Sequence, residues 1–180
     1  MIAVEEGKGS DKNIPSLQQA NATNKVDDVM RAMPHALGPE KSILSSMLQN
    51  PHEYISTAIE EKLTKEHFYL PAHSMIFEIL LDCFEKGHEV ELVSLVQKLI
   101  DKSMLESIGG PAALTELYSY APNAGHFLAH LSFVKDKFTL RSIINSCNEA
   151  ITQAYDNPED VPQLLDGVET AVLAIRENAE

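Results

Sequence analysis

Tryptophan is absent from the sequence, and cysteine nearly so: Cys83 and Cys147 are its only two. Each lies inside an apolar helical pattern, which argues against a disulfide framework and for two buried free thiols. Basic residues are scarce. Lysines and arginines number 14 against 27 aspartates and glutamates, for a formal net charge of -13. Affinity for nucleic acid rests on basic side chains meeting phosphates, and no stretch forms a basic stripe, so tight DNA binding by this chain alone is not expected. A protein partner is the better expectation. No apolar run reaches the length of a membrane span, and "MIAVEEGKGS" has two early glutamates and no apolar centre, unlike a secretory signal. The expected location is the cytoplasm, with no membrane partner.

The sequence also lacks the pieces of common active sites. "SIGGPAALTEL", residues 107–117, looks like a phosphate cradle. A phosphate loop, however, needs a lysine and a hydroxyl after its last glycine, set between a strand and a helix. Pro111 removes one of the amides that would face an anion. Gly109, Gly110 and Pro111 therefore read as a structural turn into a helix. "GKGS" at residues 7–10 lacks the upstream glycine and any strand. His126 and His130 are four apart on an expected helix and could reach one metal ion, but no third ligand is evident nearby. Glu60-Glu61, Asp82 with Glu85, and Glu159-Asp160 read as solvated faces and turn acids. No catalytic, cofactor-binding or metal residues are assigned.

What remains is helix. Residues 1–32 are poor in large apolar groups and rich in Asn, Gln, Ser, Lys and Asp, a composition that favours a disordered tail; Val26, Val29 and Met30 could form a fragment of helix within it. From residue 33 onward apolar residues recur at helical spacing. Pro39 suits a first turn, followed by Ile43, Leu44, Met47 and Leu48 on one face, and Asn50-Pro51 stops that helix. Tyr54, Ile55, Ala58 and Ile59 mark the next helix, and Thr64 is a possible cap. Pro71 opens a helix with Ile76, Phe77, Leu80, Leu81 and Phe84 inward, closed by Gly87. Leu92, Leu95, Val96, Leu99 and Ile100 form another stripe, and Leu114, Leu117 and Tyr118 a further one. No stretch alternates as a strand does. The fold class expected is all-α.

A long helix is expected from about residue 123 to 155. Phe127, Leu131, Val134 and Phe138 step by four, three and four; continuing that rhythm reaches Arg141, Asn145 and Asn148, all polar. The apolar stripe moves instead to Leu140, Ile144, Cys147, Ile151 and Ala154, a turn of about 100° about the axis. The two halves should thus face different surfaces. "DNPED" breaks the chain at residues 156–160, and a last helix carries Val161, Leu164, Leu165, Val168, Val172 and Ile175. Two such helices joined by a short polar turn make an antiparallel hairpin. The expected organisation is a tail over 1–32, a compact helical globular body over 33–139 and a protruding hairpin over 140–180. A lone hairpin buries too little to offset its ordering entropy, so it should pair with a second copy. The expected subunit interface is Leu140, Ile144, Cys147, Ile151, Leu164, Leu165, Val168, Val172 and Ile175.

Five of these segments together resemble the N-terminal domain of the DnaB-type replicative DNA helicases. They are "MPHALGPEKSILSSML", "HFYLPAHSMIFEIL", "GHEVELVSL", "LESIGGPAAL" and "APNAGHFLAHLSFVKDKFTLRSII", in order and at sensible spacing from Met33 to about Glu177. Ala113, where an aromatic is common, Gly125 and His126-Phe127 depart from the pattern. The resemblance implies a helical body with a protruding hairpin, hairpins paired between neighbours, and a hexameric collar stacked on an ATPase ring. It implies primase as a partner, a helicase loader as a further one, and single-stranded DNA reached only through the assembled ring. ATP and magnesium would belong to a motor domain that follows in sequence. The sequence ends with the hairpin, so a piece of a longer protein or a free-standing collar homologue is expected, with no catalysis of its own. Two other readings stand beside it: an adaptor without a motor that binds primase or helicase subunits, and a helical metal enzyme using His126 and His130.

Overall fold

The computed structural model describes residues 32–121, 125–156 and 160–179, and every regular element among them is helical. By its internal contacts the chain separates into Met1–Met33 and Pro34–Glu180. The expected tail, the "GKGS" match and the helix fragment around Val26 lie outside the described residues.

The second unit begins with α1 (Leu37–Gln49), whose Ile43, Leu44, Met47 and Leu48 are all buried. It is the central helix of the body, and four of the helices that follow pack against it. α2 (Pro51–Glu60) starts at the proline that ends α1 and buries Ile55 and Ala58. A short 3-10 turn, Lys65–His67, leads to α3 (Pro71–Glu85), which sends Ile76, Phe77, Ile79, Leu80 and Cys83 into the core. Gly87 then adopts φ 65°, the left-handed cap a glycine takes at low cost. α4 (Leu92–Asp101) contributes Leu95 and Leu99, and α5 (Gly110–Tyr118) contributes Leu114 and Leu117. Ile59, Ile100 and Tyr118, read from the sequence as inward, are exposed. Each sits at the margin of its stripe, where a helix packed on one side leaves the flank to solvent.

The turn into α5 answers the phosphate-loop question. Gly109 has φ 94° and Gly110 φ 76°, and the Gly109 and Gly110 amides already donate to the Glu106 and Leu105 carbonyls at 3.1 and 2.9 Å. Those amides close a turn and are not left to wrap an anion.

α6 (Phe127–Tyr155) is 29 residues long, about 43 Å. It starts at Phe127, the first residue of the stripe, and not at about residue 123 as expected; His126 is not helical (φ -117°, ψ 19°). Its first half lies on α1 and its second half leaves the body. α7 (Val161–Ala179) runs back along that second half, so that Ile175 and Ala179 share a groove with Thr139 and Ile143. Asp160 starts α7 by accepting the Gln163 amide on its carboxylate at 3.0 Å. The result is a compact helical body with an antiparallel hairpin.

Candidate subunit-pairing surface

At about 100° per residue, α6 presents three faces roughly 120° apart. The body face carries Phe127, Leu131 and Val134, all buried, then the half-buried Phe138 and the buried Arg141. A second face carries small, half-buried side chains, Thr139, Ser142, Ser146 and Ala150, and α7 packs there with Leu164, Val168, Ala171 and Ile175. The third face carries Phe133, Leu140, Cys147 and Ile151, which are exposed among the described residues, with Ile144 half-buried between them. Leu140 is 43% exposed and Ile151 52%. On α7, Leu165 (64%) and Val172 (58%) are exposed next to the inward row. Cys147 and Val172 line one apolar groove of about 400 Å³ with Ile143 and Ile175, so the exposed residues of the two helices share a side of the hairpin.

The expected interface set is thus divided. Leu140, Cys147, Ile151, Leu165 and Val172 are exposed; Leu164, Val168 and Ile175 are half-buried in the seam between α6 and α7, and Ile144 is half-buried at its edge. Cys83 is buried, whereas Cys147, expected to be so too, is an exposed free thiol. The reason is geometric: an apolar helical stripe in sequence is the same whether its cover comes from this chain or from elsewhere.

Sequence reasoning missed a buried polar network where the hairpin leaves the body. Glu40 on α1 is only 1% exposed. Its Oε1 accepts the Tyr69 backbone N–H at 2.8 Å, and its Oε2 lies 2.7 Å from His73 Nδ1 on α3. Arg141 on α6 donates to the Pro34 carbonyl at 2.9 Å and to the His67 carbonyl at 2.8 Å. Its guanidinium lies 5.8 Å from the ring centroids of both Tyr69 and Phe138. Burial lowers the Arg141 pKa from its ordinary value, and the Glu40 carboxylate opposes this. Arg141 continues the body stripe of Phe127, Leu131, Val134 and Phe138. The polar residue that looked like the end of a stripe is its last member, kept inside because carbonyls of two separate segments receive its N–H groups. Arg141→Ala is expected to lower stability by about 2–4 kcal/mol, and Arg141→Lys to recover little of it, since an ammonium cannot span both carbonyls in one plane. Urea unfolding checks this; equal stability of Arg141→Lys and the parent would refute the bridging role.

His67 lies beside the network. Its Nδ1 accepts the Thr64 amide at 3.0 Å, and its ring lies 4.4 Å from Phe138. Burial pushes its pKa below the ordinary value; the Lys135 and Arg141 cations push the same way, against the Thr64 backbone and Glu66. A histidine held neutral in the fold takes up a proton more readily when unfolded. Its contribution is therefore present above the unfolded value of about 6.5 and lost as pH falls through that value toward the folded one. Melting temperature is expected to fall between pH 7 and pH 5, with a shallower slope in His67→Gln. Equal slopes would show that His67 does not drive the effect.

The remaining candidates stay apart from this surface. The His126 and His130 rings are 6.4 Å apart, and burial, then His126, lowers the His130 pKa. Among the described residues no cluster of three or more His, Cys, Asp or Glu side chains is placed to hold a metal ion, and no helix is long and apolar enough to cross a membrane.

Known proteins match this arrangement. Residues 32–136 fit the family model described as "DnaB-like helicase N terminal domain". The chain is 32% identical over 145 residues to the replicative DNA helicase DnaB of Pasteurella multocida (strain Pm70), covering 80% of this chain and 31% of that relative. It is 27% identical over 145 residues to the replicative DNA helicase DnaB of Geobacillus stearothermophilus, covering 81% and 32%. The chain thus spans about a third of the length of these curated relatives. Among solved structures, the N-terminal domain of DnaB helicase from Mycobacterium tuberculosis superposes with a TM-score of 0.74 at 27% identity, over 79% of this chain and 99% of that one. A DnaB-like replicative helicase whose structure was described with its interactions with primase shares the fold, with a TM-score of 0.62 at 24% identity over 78% of this chain and 31% of that one. On the body, the hairpin and these matches together, the chain belongs to the DnaB-like helicase N-terminal domain family.

Proposed function

We propose that this chain is the non-catalytic collar of a hexameric replicative DNA helicase: its hairpins pair between neighbouring copies, and the assembled tier presents a surface to primase. The observation that carries this is the third face of α6 with its flank on α7, an apolar surface along the protruding hairpin that no part of the described body covers. Water contact with such a surface is unfavourable, and a second hairpin offers a matching one. Primase, and a loader beside it, come from the family resemblance; the solved relative described with primase lends support. Single-stranded DNA would be met only inside the assembled ring, and ATP with magnesium would act in a motor domain, not in this one. The net charge of -13 fits a tier that leaves DNA affinity to other parts of the ring.

Sedimentation across a wide concentration range tests the pairing. Reversible association is expected, together with ATP hydrolysis no faster than in buffer. A chain that stays monomeric at the highest concentration with its helical content intact would sink the reading.

A further inference from the structure

The Glu40–His73 pair opens onto a slot that the pairing surface does not use. The slot lies between α1, α3 and α5 and has a volume of about 200 Å³. Its walls are mostly apolar, formed by Leu70, Ile76, Ile108, Ala113 and Leu117. A cavity of about 150 Å³ suffices for a benzene-sized molecule, so this one has room for a ligand of about six to eight heavy atoms.

Four polar side chains line it as well: His73, Lys41, Glu116 and Tyr120. His73 is nine-tenths buried and lines the slot, and its Nδ1 is taken by the Glu40 carboxylate at 2.7 Å. Among the described residues no side chain or backbone group holds its Nε2. A carboxylate that fixes one ring nitrogen fixes the orientation of the ring and so of the other nitrogen. At the rim stands Lys41, 3.6 Å from the well-exposed Glu116 carboxylate. That exposed ion pair is weak and salt-screened, so a competing anion can replace Glu116 at little cost.

We propose that the slot binds a small branched-chain or straight-chain aliphatic carboxylate, with its chain against Ile76, Ile108 and Leu117 and its carboxylate between His73 Nε2 and Lys41 Nζ. The slot is open because Ala113 lines it with a single methyl; a larger side chain there would occupy it. This site is independent of the pairing of hairpins, which lie on the far half of α6.

The test is a titration of the whole chain with 3-methylbutanoate and, separately, 3-methyl-1-butanol, followed by NMR of the Ala113 methyl and the His73 ring. The acid is expected to shift both signals saturably, and the alcohol to bind at least about tenfold more weakly. Ala113→Phe, which fills the slot and leaves Glu40 and His73 unsubstituted, is expected to abolish the acid-dependent shift of the His73 ring. Lys41→Met, a change at the rim that keeps the core, is expected to weaken the acid about tenfold while leaving the alcohol unchanged. No saturable shift in the parent chain, equal binding of acid and alcohol, or undiminished binding by Ala113→Phe would each overturn the proposal.

Discussion

Glu40→Ala is expected to destabilise the protein by about 3–5 kcal/mol, because it removes a buried carboxylate that is the acceptor for two groups. The Tyr69 amide, at 2.8 Å from Oε1, and His73 Nδ1, at 2.7 Å from Oε2, would both lose their partner. The truncation also opens a cavity beside Leu44, since Glu40 is itself among the largest fully buried side chains. Arg141 would lose a neighbouring negative charge that favours its ionised form. Glu40→Gln separates these effects. Its amide oxygen can still accept the Tyr69 N–H and its shape is retained, so about half the loss or less is expected. At about 2–4 °C per kcal/mol for a chain of this size, the alanine variant should melt some 6–20 °C lower. Urea unfolding and calorimetry measure both. A loss below about 1 kcal/mol for Glu40→Ala would mean that water enters and satisfies the orphaned groups, and the pair would then not be a structural linchpin.

The second large effect concerns assembly. Ile151→Asp combined with Leu165→Asp is expected to raise the self-association constant for dissociation by at least about a hundredfold, with no loss of folded body. Both side chains are more than half exposed in the single chain, so a carboxylate at either costs the monomer little. In a paired hairpin each would be forced against apolar surface without a partner. Leu164→Asp is the wrong probe, although sequence spacing ranks it equally: Leu164 is half-buried between α6 and α7, and charging it would loosen the hairpin itself. Sedimentation equilibrium gives the constant and far-UV circular dichroism reports the fold. Association of the double variant equal to the parent's would place the contact elsewhere on the molecule.

Much of this architecture was legible before any coordinates. The core stripes of the body were visible at helical spacing, and so were the proline that ends α1, the proline that opens α3 and the glycine that closes α3. The phase change along α6 was also visible, because Leu140, Ile144, Cys147 and Ile151 cannot lie on the same face as Phe127, Leu131 and Val134. Three things were not. Arg141 looked like the polar end of a stripe, since a sequence does not say that the Pro34 and His67 carbonyls wait at that point, over a hundred and over seventy positions away. Glu40 carries no mark of burial in the sequence, since helix signals favour a first-turn acid whether it is solvated or buried. Cys147 looked like Cys83, both small and both in apolar company.

The order of apolar, polar, proline and glycine residues determined by itself that this chain is helical, where most helices begin and end, and that its last two form a hairpin with more apolar surface than one hairpin can hide. These are local properties, set by periodicity and backbone chemistry within a few turns. Which apolar residues of that hairpin are shared between α6 and α7 and which stay exposed was decided only by the tertiary structure, as was the burial of Glu40, His73 and Arg141. Burial is a property of what stands opposite a side chain, and what stands opposite is fixed by segments far away in sequence.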